Sequence, residues 1–393
     1  MTIQEVDYIS KIRANIPCLE NLICFNTGMD GPLLKSSFEA IEESLKKRLN
    51  SGTFTKEAIK AFYERLIECK TKIAAFMSCK VDNICLTPNT SFGMSIALNA
   101  FNWSDNDEII STTEEYSAVL FSLYNLRQRY GTKVKLIELD INNSLNSILK
   151  HVSLDTKAIV LSHVFWQTGN ILNNLKEIIT ELRKKNIISI IDGAQSVGVT
   201  KVNLNELNPD FYCAPGHKWL MGPKATGFMY VSEKHFEKRP PWPSVIGFDS
   251  SEFSPFERLY DLNFKWTPRK NAALFEFGGL CSSLFNGLSK SIDFANDNLK
   301  NFDIFKRIQL LSSFLIDRLS ENSNLQIATS TNHSGLVSFR HKSVKASDIV
   351  DALWNKKKIV VRELQGLNTV RASVHYFNTK EEIEALVDII SSL

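Results

Sequence analysis

Two short segments concentrate residues able to do chemistry. IISIIDGAQSVG (187–198) is an apolar run that ends in Asp192 and turns through small residues carrying Gln195. DFYCAPGHKWLMGP (210–223) is a second apolar run, delivering His217 and Lys218 in adjacent positions on a glycine-punctuated turn. An acid at the end of a buried strand is poorly solvated and favours a cationic neighbour. A lysine in the same setting loses its proton more readily than in water, and a neutral amine can form a Schiff base. A pyridine aldehyde cofactor needs both partners, a lysine for the imine and a carboxylate for the ring nitrogen. Taken alone, an Asp at a strand end is ordinarily a turn-former or helix cap, and a loop Lys is ordinarily a solvated charge. The pairing on consecutive strands carries the argument.

These residues need elements to position them. The first half alternates short β-rich runs with longer helical patterns. Strands are expected at 83–88, 108–113, 134–139, 158–163, 187–192, 210–214 and 226–231, most of them continuous apolar runs covered on both faces. Helices are expected at 57–77, 92–101, 117–130 and 175–185. Strand–helix–strand repetition implies an α/β fold with a mostly parallel sheet and right-handed crossovers. From about Lys234 the texture changes, and EKRPPWPSVIGFDSSEFSP (237–255) reads as a long ordered crossing. One long helix is expected from Gly279 to about Glu321, followed by an α+β tail. In that tail strands are expected at 335–340, 359–363 and 370–375, and helices at 346–356 and from Lys380.

The chain has 393 residues, enough for a large domain with a smaller companion. Hydrophobic residues make up 44% and charged residues 23%, the composition of a folded protein. Lys and Arg number 46 against 43 Asp and Glu, without a concentrated basic face, so no nucleic-acid partner is expected. No apolar run reaches the ~18–20 residues that cross a bilayer, and no membrane partner is expected. Seven cysteines without a C-x-x-C pair read as reduced thiols of a cytoplasmic protein, and no metal site is assigned.

D-G-A-Q-S followed by G-H-K-W-x-x-G-P resembles the class V group of fold-type I pyridoxal-phosphate enzymes, from about Phe25 to the C-terminus. That group includes cysteine desulfurases, cysteine/cystine C–S lyases and isopenicillin-N-epimerase-like proteins. The resemblance implies a large cofactor domain (25–265) after an N-terminal segment (1–24), a small α+β domain (266–393), pyridoxal 5'-phosphate as cofactor, an amino-acid substrate and a homodimer. It makes Lys218 the Schiff-base lysine, Asp192 the partner of the pyridinium nitrogen, Gln195 the contact of the phenolic oxygen and His217 a phosphate contact. CLTPNTSFGMSIALNAF (85–101) fits the phosphate loop, with Thr90 and Ser91 before a helix starting near Phe92 whose N–H groups attract an anion. Simple N-capping by Ser91 is the alternative there. Tyr116 in STTEEYSAVLFSL (111–123) takes the ring-stacking position that desulfurases give to His, with an ordinary core or surface tyrosine as the alternative. SHVFWQTGNIL (162–172) matches the SH-x-x-W-x-TG segment of the lyase and epimerase branch, placing His163 near the ring or, alternatively, in the core. In VVRELQGLNTVRASVHYFNTKEEIEAL (360–386) Arg371 corresponds to the arginine that grips the substrate α-carboxylate. Arg362, nine residues earlier, resembles the one that cystine lyases use for a distal acidic group, with a surface salt bridge as the alternative. A guanidinium fork suits a carboxylate bidentately.

The chain departs from the desulfurase pattern in three places. KKKIVVRELQGLNTVR contains no cysteine, and the last in the chain is Cys281, so a loop persulfide cannot form. Cys213, on the strand before Lys218, reads as core filler. Two hydroxyls that relatives offer to the phosphate are replaced by Pro215 and Gly279. The expected activity is therefore C–S lyase, with transamination or epimerisation on the same scaffold, or a non-catalytic cofactor-binding protein, as alternatives.

Overall fold

The computed structural model describes residues 3–237, 241–252 and 266–393. Parts of the expected crossing, 238–240 and 253–255, lie outside the described residues, as does the expected domain boundary at 265. The first eight strands are β1 (Ile23–Cys24), β2 (Ile84–Thr87), β3 (Glu108–Thr112), β4 (Lys133–Ile137), β5 (Thr156–Ser162), β6 (Ile188–Asp192), β7 (Phe211–Pro215) and β8 (Gly227–Val231). Seven of these form one sheet in the order β2-β8-β7-β6-β5-β3-β4. The neighbours from β7 through β4 run parallel, while β8 is antiparallel to both β7 and β2. The parallel centre is buried throughout in β6 and β7 except for the first residue of β6, as continuous apolar runs require when helices cover both faces. Ile110, Ile159, Leu161 and Ile191 feed one core layer; Ile109, Val160, Ile190 and Phe211 feed the other.

The helices Lys56–Phe76, Thr90–Asn99, Ser117–Tyr130 and Leu175–Lys184 lie close to the expected positions. Ile3–Ala14 and Lys35–Ser51 are helical as well, the second with only three buried side chains, so its apolar stripe is faint in the sequence. The single helix expected from Gly279 is two, Ser282–Asn301 and Ile304–Ser320. Phe302 is extended, and the Asp303 carboxylate accepts from Lys306 N at 2.9 Å, starting a new helix with its own cap. The first of the pair packs on helices Lys35–Ser51 and Lys56–Phe76, with Phe285, Leu288 and Ile292 joining the core of the large sheet.

The remaining strands are β9 (Leu325–Ile327), β10 (Leu336–His341), β11 (Ile359–Val360), β12 (Arg362–Leu364) and β13 (Thr369–Ser373). Four make an antiparallel sheet in the order β12-β13-β10-β9. The strand expected at 359–363 is divided: β11 pairs in parallel with β1, and after Val361 the chain switches to β13. Ile359 and Val361 stay buried across the switch, so the apolar alternation continues while the hydrogen-bond partner changes. Phe25 and Asn26 also join this sheet, Phe25 in its core and Asn26 by a bridge to Ser373.

Candidate active site

The carboxyl ends of β2, β3, β5, β6 and β7 open onto a cavity of about 370 Å³, where open α/β sheets bind ligands. Of the ten residues expected at a site, nine line it: Thr90, Ser91, Tyr116, Asp192, Gln195, His217, Lys218, Arg362 and Arg371. His163 does not. Its ring stands behind the lining, Nδ1 2.9 Å from the Tyr212 hydroxyl, which in turn lies 2.5 Å from Ser196 Oγ. Burial pushes its pKa down to about 4, so the ring is neutral. The core alternative describes its place.

Asp192 ends β6, buried, with one carboxylate oxygen accepting from Ala194 N at 2.8 Å. Desolvation raises its pKa, and that hydrogen bond and the Lys218 charge oppose the rise. Lys218 follows the turn after β7. Desolvation lowers its amine to about 8; Asp192 pulls the other way, while Arg371 and Arg362 add to the lowering. A neutral amine is thus accessible near neutral pH, as Schiff-base chemistry requires. The turn is pinned by Gly31, whose N–H donates to His217 O at 2.7 Å and where a Cβ would collide with the Lys218 carbonyl oxygen.

On the β2 side, the cap of helix Thr90–Asn99 is Asn89, not Ser91: its Oδ1 accepts from Phe92 N at 2.9 Å. Ser91 is exposed at the cavity wall. Gly93 lets this helix close on β7, since a Cβ there would lie 3.0 Å from Cys213 Sγ. Thr90 Oγ1 and His217 Nδ1 are out of solvent without a hydrogen-bond partner among the described residues. Two orphaned polar atoms beside the N-terminus of a helix fit a phosphate dianion. Lys224, paired with Asp30 at 2.8 Å, lines the same end. Pro215 is in the lining, and Gly279 has a positive φ of 85° with nothing near its Cβ position.

Tyr116 precedes helix Ser117–Tyr130 and is 41% exposed, its ring 5.9 Å from Lys218 Nζ and edge-on to Trp166 at 5.6 Å. Beneath it is a residue that sequence reasoning missed. Glu115 is 2% exposed and accepts from Thr112 Oγ1 at 3.0 Å, Ser162 N at 3.0 Å and Ser162 Oγ at 2.5 Å. Burial raises its carboxyl to about 7, with the Asp192 charge adding to the rise. In the sequence it is one of two acids in a loop, and nothing marks it as the buried one.

Arg362 and Arg371 face each other across the β12–β13 ladder, on one side of the sheet. Arg371 is 2% exposed, gives one N–H to Trp166 O at 2.7 Å, and leaves Nε without a partner among the described residues. Burial and Arg362 together disfavour its charge; a carboxylate ligand would relieve both. The hairpin joining them closes from Leu364 to Thr369, and no cysteine lines the cavity. None of the seven cysteines is in a disulfide, and Cys213 is buried with its pKa raised by desolvation. Among the described residues no His/Cys/Asp/Glu group could hold a metal ion, and no helix is long and apolar enough to cross a membrane.

The mostly parallel sheet flanked by helices, with a small antiparallel sheet, is the fold of fold-type I pyridoxal-phosphate enzymes, and pyridoxal phosphate is their cofactor. The family model for aminotransferase class-V matches residues 35–386, and the chain belongs to that family. It is 29% identical over 334 residues to a probable cysteine desulfurase of Halalkalibacterium halodurans, covering 81% of this chain and 79% of that one. It is 23% identical to an isopenicillin N epimerase of Amycolatopsis lactamdurans, over 96% of both chains. Among solved structures, the cystine C–S lyase C-DES in complex with its product cysteine persulfide superposes with a TM-score of 0.88. The identity is 23%, over 96% of this chain and 99% of that one. An apo cysteine desulfurase from Thermococcus onnurineus superposes at 0.85, with 23% identity over 98% and 97%.

Proposed function

We propose that this protein is a pyridoxal-phosphate-dependent C–S lyase acting on cysteine- or cystine-type amino acids. The observation that carries the reading is the pair of facing arginines in a cavity that holds Lys218 and Asp192 and has no cysteine in its lining. A desulfurase needs a thiol to receive sulfur; here sulfur leaves with its own substituent. The fold shared with a cystine C–S lyase supports this choice, and the relatives named as cysteine desulfurases support a cysteine-type substrate.

Pyridoxal phosphate, when bound, supplies an electron sink for negative charge at the substrate Cα. Thr90, His217 and the first N–H groups of helix Thr90–Asn99 would hold its phosphate, Asp192 its ring nitrogen and Gln195 its phenolic oxygen. Tyr116 would lie against its ring. Arg371 binds the α-carboxylate and fixes the Cα–H bond in place. Arg362 takes a second acidic group of the substrate. Lys218, with an amine near neutral pH, removes the proton from Cα. The Cα–H and Cβ–S bonds break, sulfur departs with an electron pair and gains a proton, and water converts the remainder to pyruvate and ammonia.

Exposed Phe38, Leu45 and Leu49 on helix Lys35–Ser51 support the further reading that the protein works as a homodimer, which light scattering measures. The activity test is product identification from purified protein given L-cystine, L-cysteine and S-substituted cysteines. Pyruvate formed in step with a released sulfur compound is expected. Exchange of the α-proton with solvent deuterium without pyruvate would establish epimerisation instead, the activity named for the Amycolatopsis relative. Stoichiometric conversion of the cofactor to its pyridoxamine form would establish transamination.

A further inference from the structure

The tryptophan that follows Lys218 has no role in the chemistry so far, yet it is bonded to a residue that does. Trp219 is 1% exposed, and its indole N–H donates to Gln195 Oε1 at 2.9 Å. Gln195 Nε2 donates in turn to the Gly28 carbonyl at 2.8 Å. Both outer partners work one way only: an indole N–H cannot accept and a backbone carbonyl cannot donate. The amide therefore has a single orientation. Flipped, it would set NH2 against N–H and C=O against C=O, losing both bonds.

The indole itself has little room to move. It stacks on His375 at 5.8 Å between centroids with 14° between planes, and the Trp219 carbonyl lies 3.1 Å from His375 Nε2. A Cβ at Gly335 would lie 2.9 Å from the indole, and one at Gly198, where φ is 93°, 3.0 Å from Trp219 Cβ. One amide hydrogen of Gln195, a residue of the cavity lining, is left without a partner in this network.

We propose that Trp219 is a positioning residue that acts through Gln195, fixing its amide so that an N–H, not a carbonyl oxygen, is offered to the phenolic oxygen of bound pyridoxal phosphate. The proposal rests on the reading that places Gln195 at that oxygen. A donor there makes the oxygen less basic and loosens its hold on the neighbouring Schiff-base proton, lowering the pH at which the bound cofactor's visible band titrates. Without the indole only the Gly28 carbonyl still holds the amide, the flipped orientation costs one bond instead of two, and the donor is lost for part of the time.

The test is a pH titration of the visible band of the cofactor-loaded protein, with no turnover involved. W219F should raise the midpoint measurably, by up to about one pH unit, the order of one hydrogen bond to a charged acceptor lost outright. Introduced into Q195A, the same W219F change should add no further shift, because its path is gone. A W219F midpoint equal to that of wild type, or a shift that persists undiminished in Q195A, overturns the proposal. If W219F does not fold, W219L carries the same test: it removes the indole N–H without adding a charge, so the midpoint should rise in the otherwise wild-type protein and not in Q195A, and an unchanged midpoint overturns the proposal. A wild-type protein that forms no visible band with pyridoxal phosphate would instead overturn the cofactor reading itself.

Discussion

At the scale of single residues, the site works by giving each polar group one purpose and one environment. In the proposed reading everything else depends on Lys218, and Lys218→Ala should abolish the cofactor's visible band and lower kcat by at least ~10³-fold, the upper half of the range of general-base loss. Absorbance and single-turnover pyruvate release measure the two effects. In the proposed reading Arg371 is different in kind, because it would bind without reacting. Arg371→Lys keeps the charge but not the fork, and kcat/KM should fall about 10- to 100-fold, mostly through KM, with the visible band intact. Thr90 Oγ1, orphaned beside the helix start, predicts that Thr90→Val weakens cofactor binding about tenfold, the loss of one hydrogen bond to an anion. Equilibrium dialysis of pyridoxal phosphate checks it.

At the scale of elements, the cavity exists because strand ends and helix starts are brought within a side chain's reach of each other. The turn after β7 is held against the N-terminal loop by Gly31, and its close approach to the Lys218 carbonyl leaves no room for a methyl group. Gly31→Ala should destabilise the fold by about 1–3 kcal/mol, the usual cost of overpacking, and diminish the visible band by displacing the lysine. Urea unfolding and an absorbance scan report the two separately. The β12–β13 hairpin sets the other wall. Its register puts Arg362 opposite Arg371, an arrangement that costs repulsion and that the proposed substrate, with two acidic ends, would relieve.

At the scale of the whole molecule, buried titratable groups set how the fold responds to pH, and they pull in opposite directions. His163 and His375 are buried neutral, with pKa values lowered by desolvation to about 4 and about 3. The unfolded chain binds their protons below about 6.5, so the stability they confer above that pH is lost as it falls toward 4 and 3. Glu115 has the reverse sign. Its pKa is raised to about 7, so the folded chain takes up a proton first, and stability from this group rises as pH falls from 7 toward the ordinary carboxyl range. Glu115→Gln can keep the bonds to Thr112 and Ser162 while removing that proton uptake. It should therefore lose stability more steeply than wild type between pH 7 and 4.5, as seen in urea midpoints across that range; parallel profiles would refute the assignment.

Much of this was legible from local sequence alone. Asp192 and Lys218 stand at the ends of continuous apolar runs, and such runs become central parallel strands because only helices on both faces can cover them. The arginines sat in a recognisable strand–turn–strand pattern, so their presence at the site could be expected, though not their direct opposition, which depends on the register of a hairpin. Tertiary structure alone decided the rest. Whether Glu115 or Glu114 is buried depends on the β5 end that receives it, and whether His163 faces the cavity or the core depends on Tyr212, 49 residues away in the chain. The helix expected to run unbroken from Gly279 divides at Asp303, and the strand after Ile359 changes sheets, because in each case a distant partner or a capping side chain outcompetes local periodicity. Periodicity reports which face of a segment is apolar; it carries no information about which neighbour will cover it.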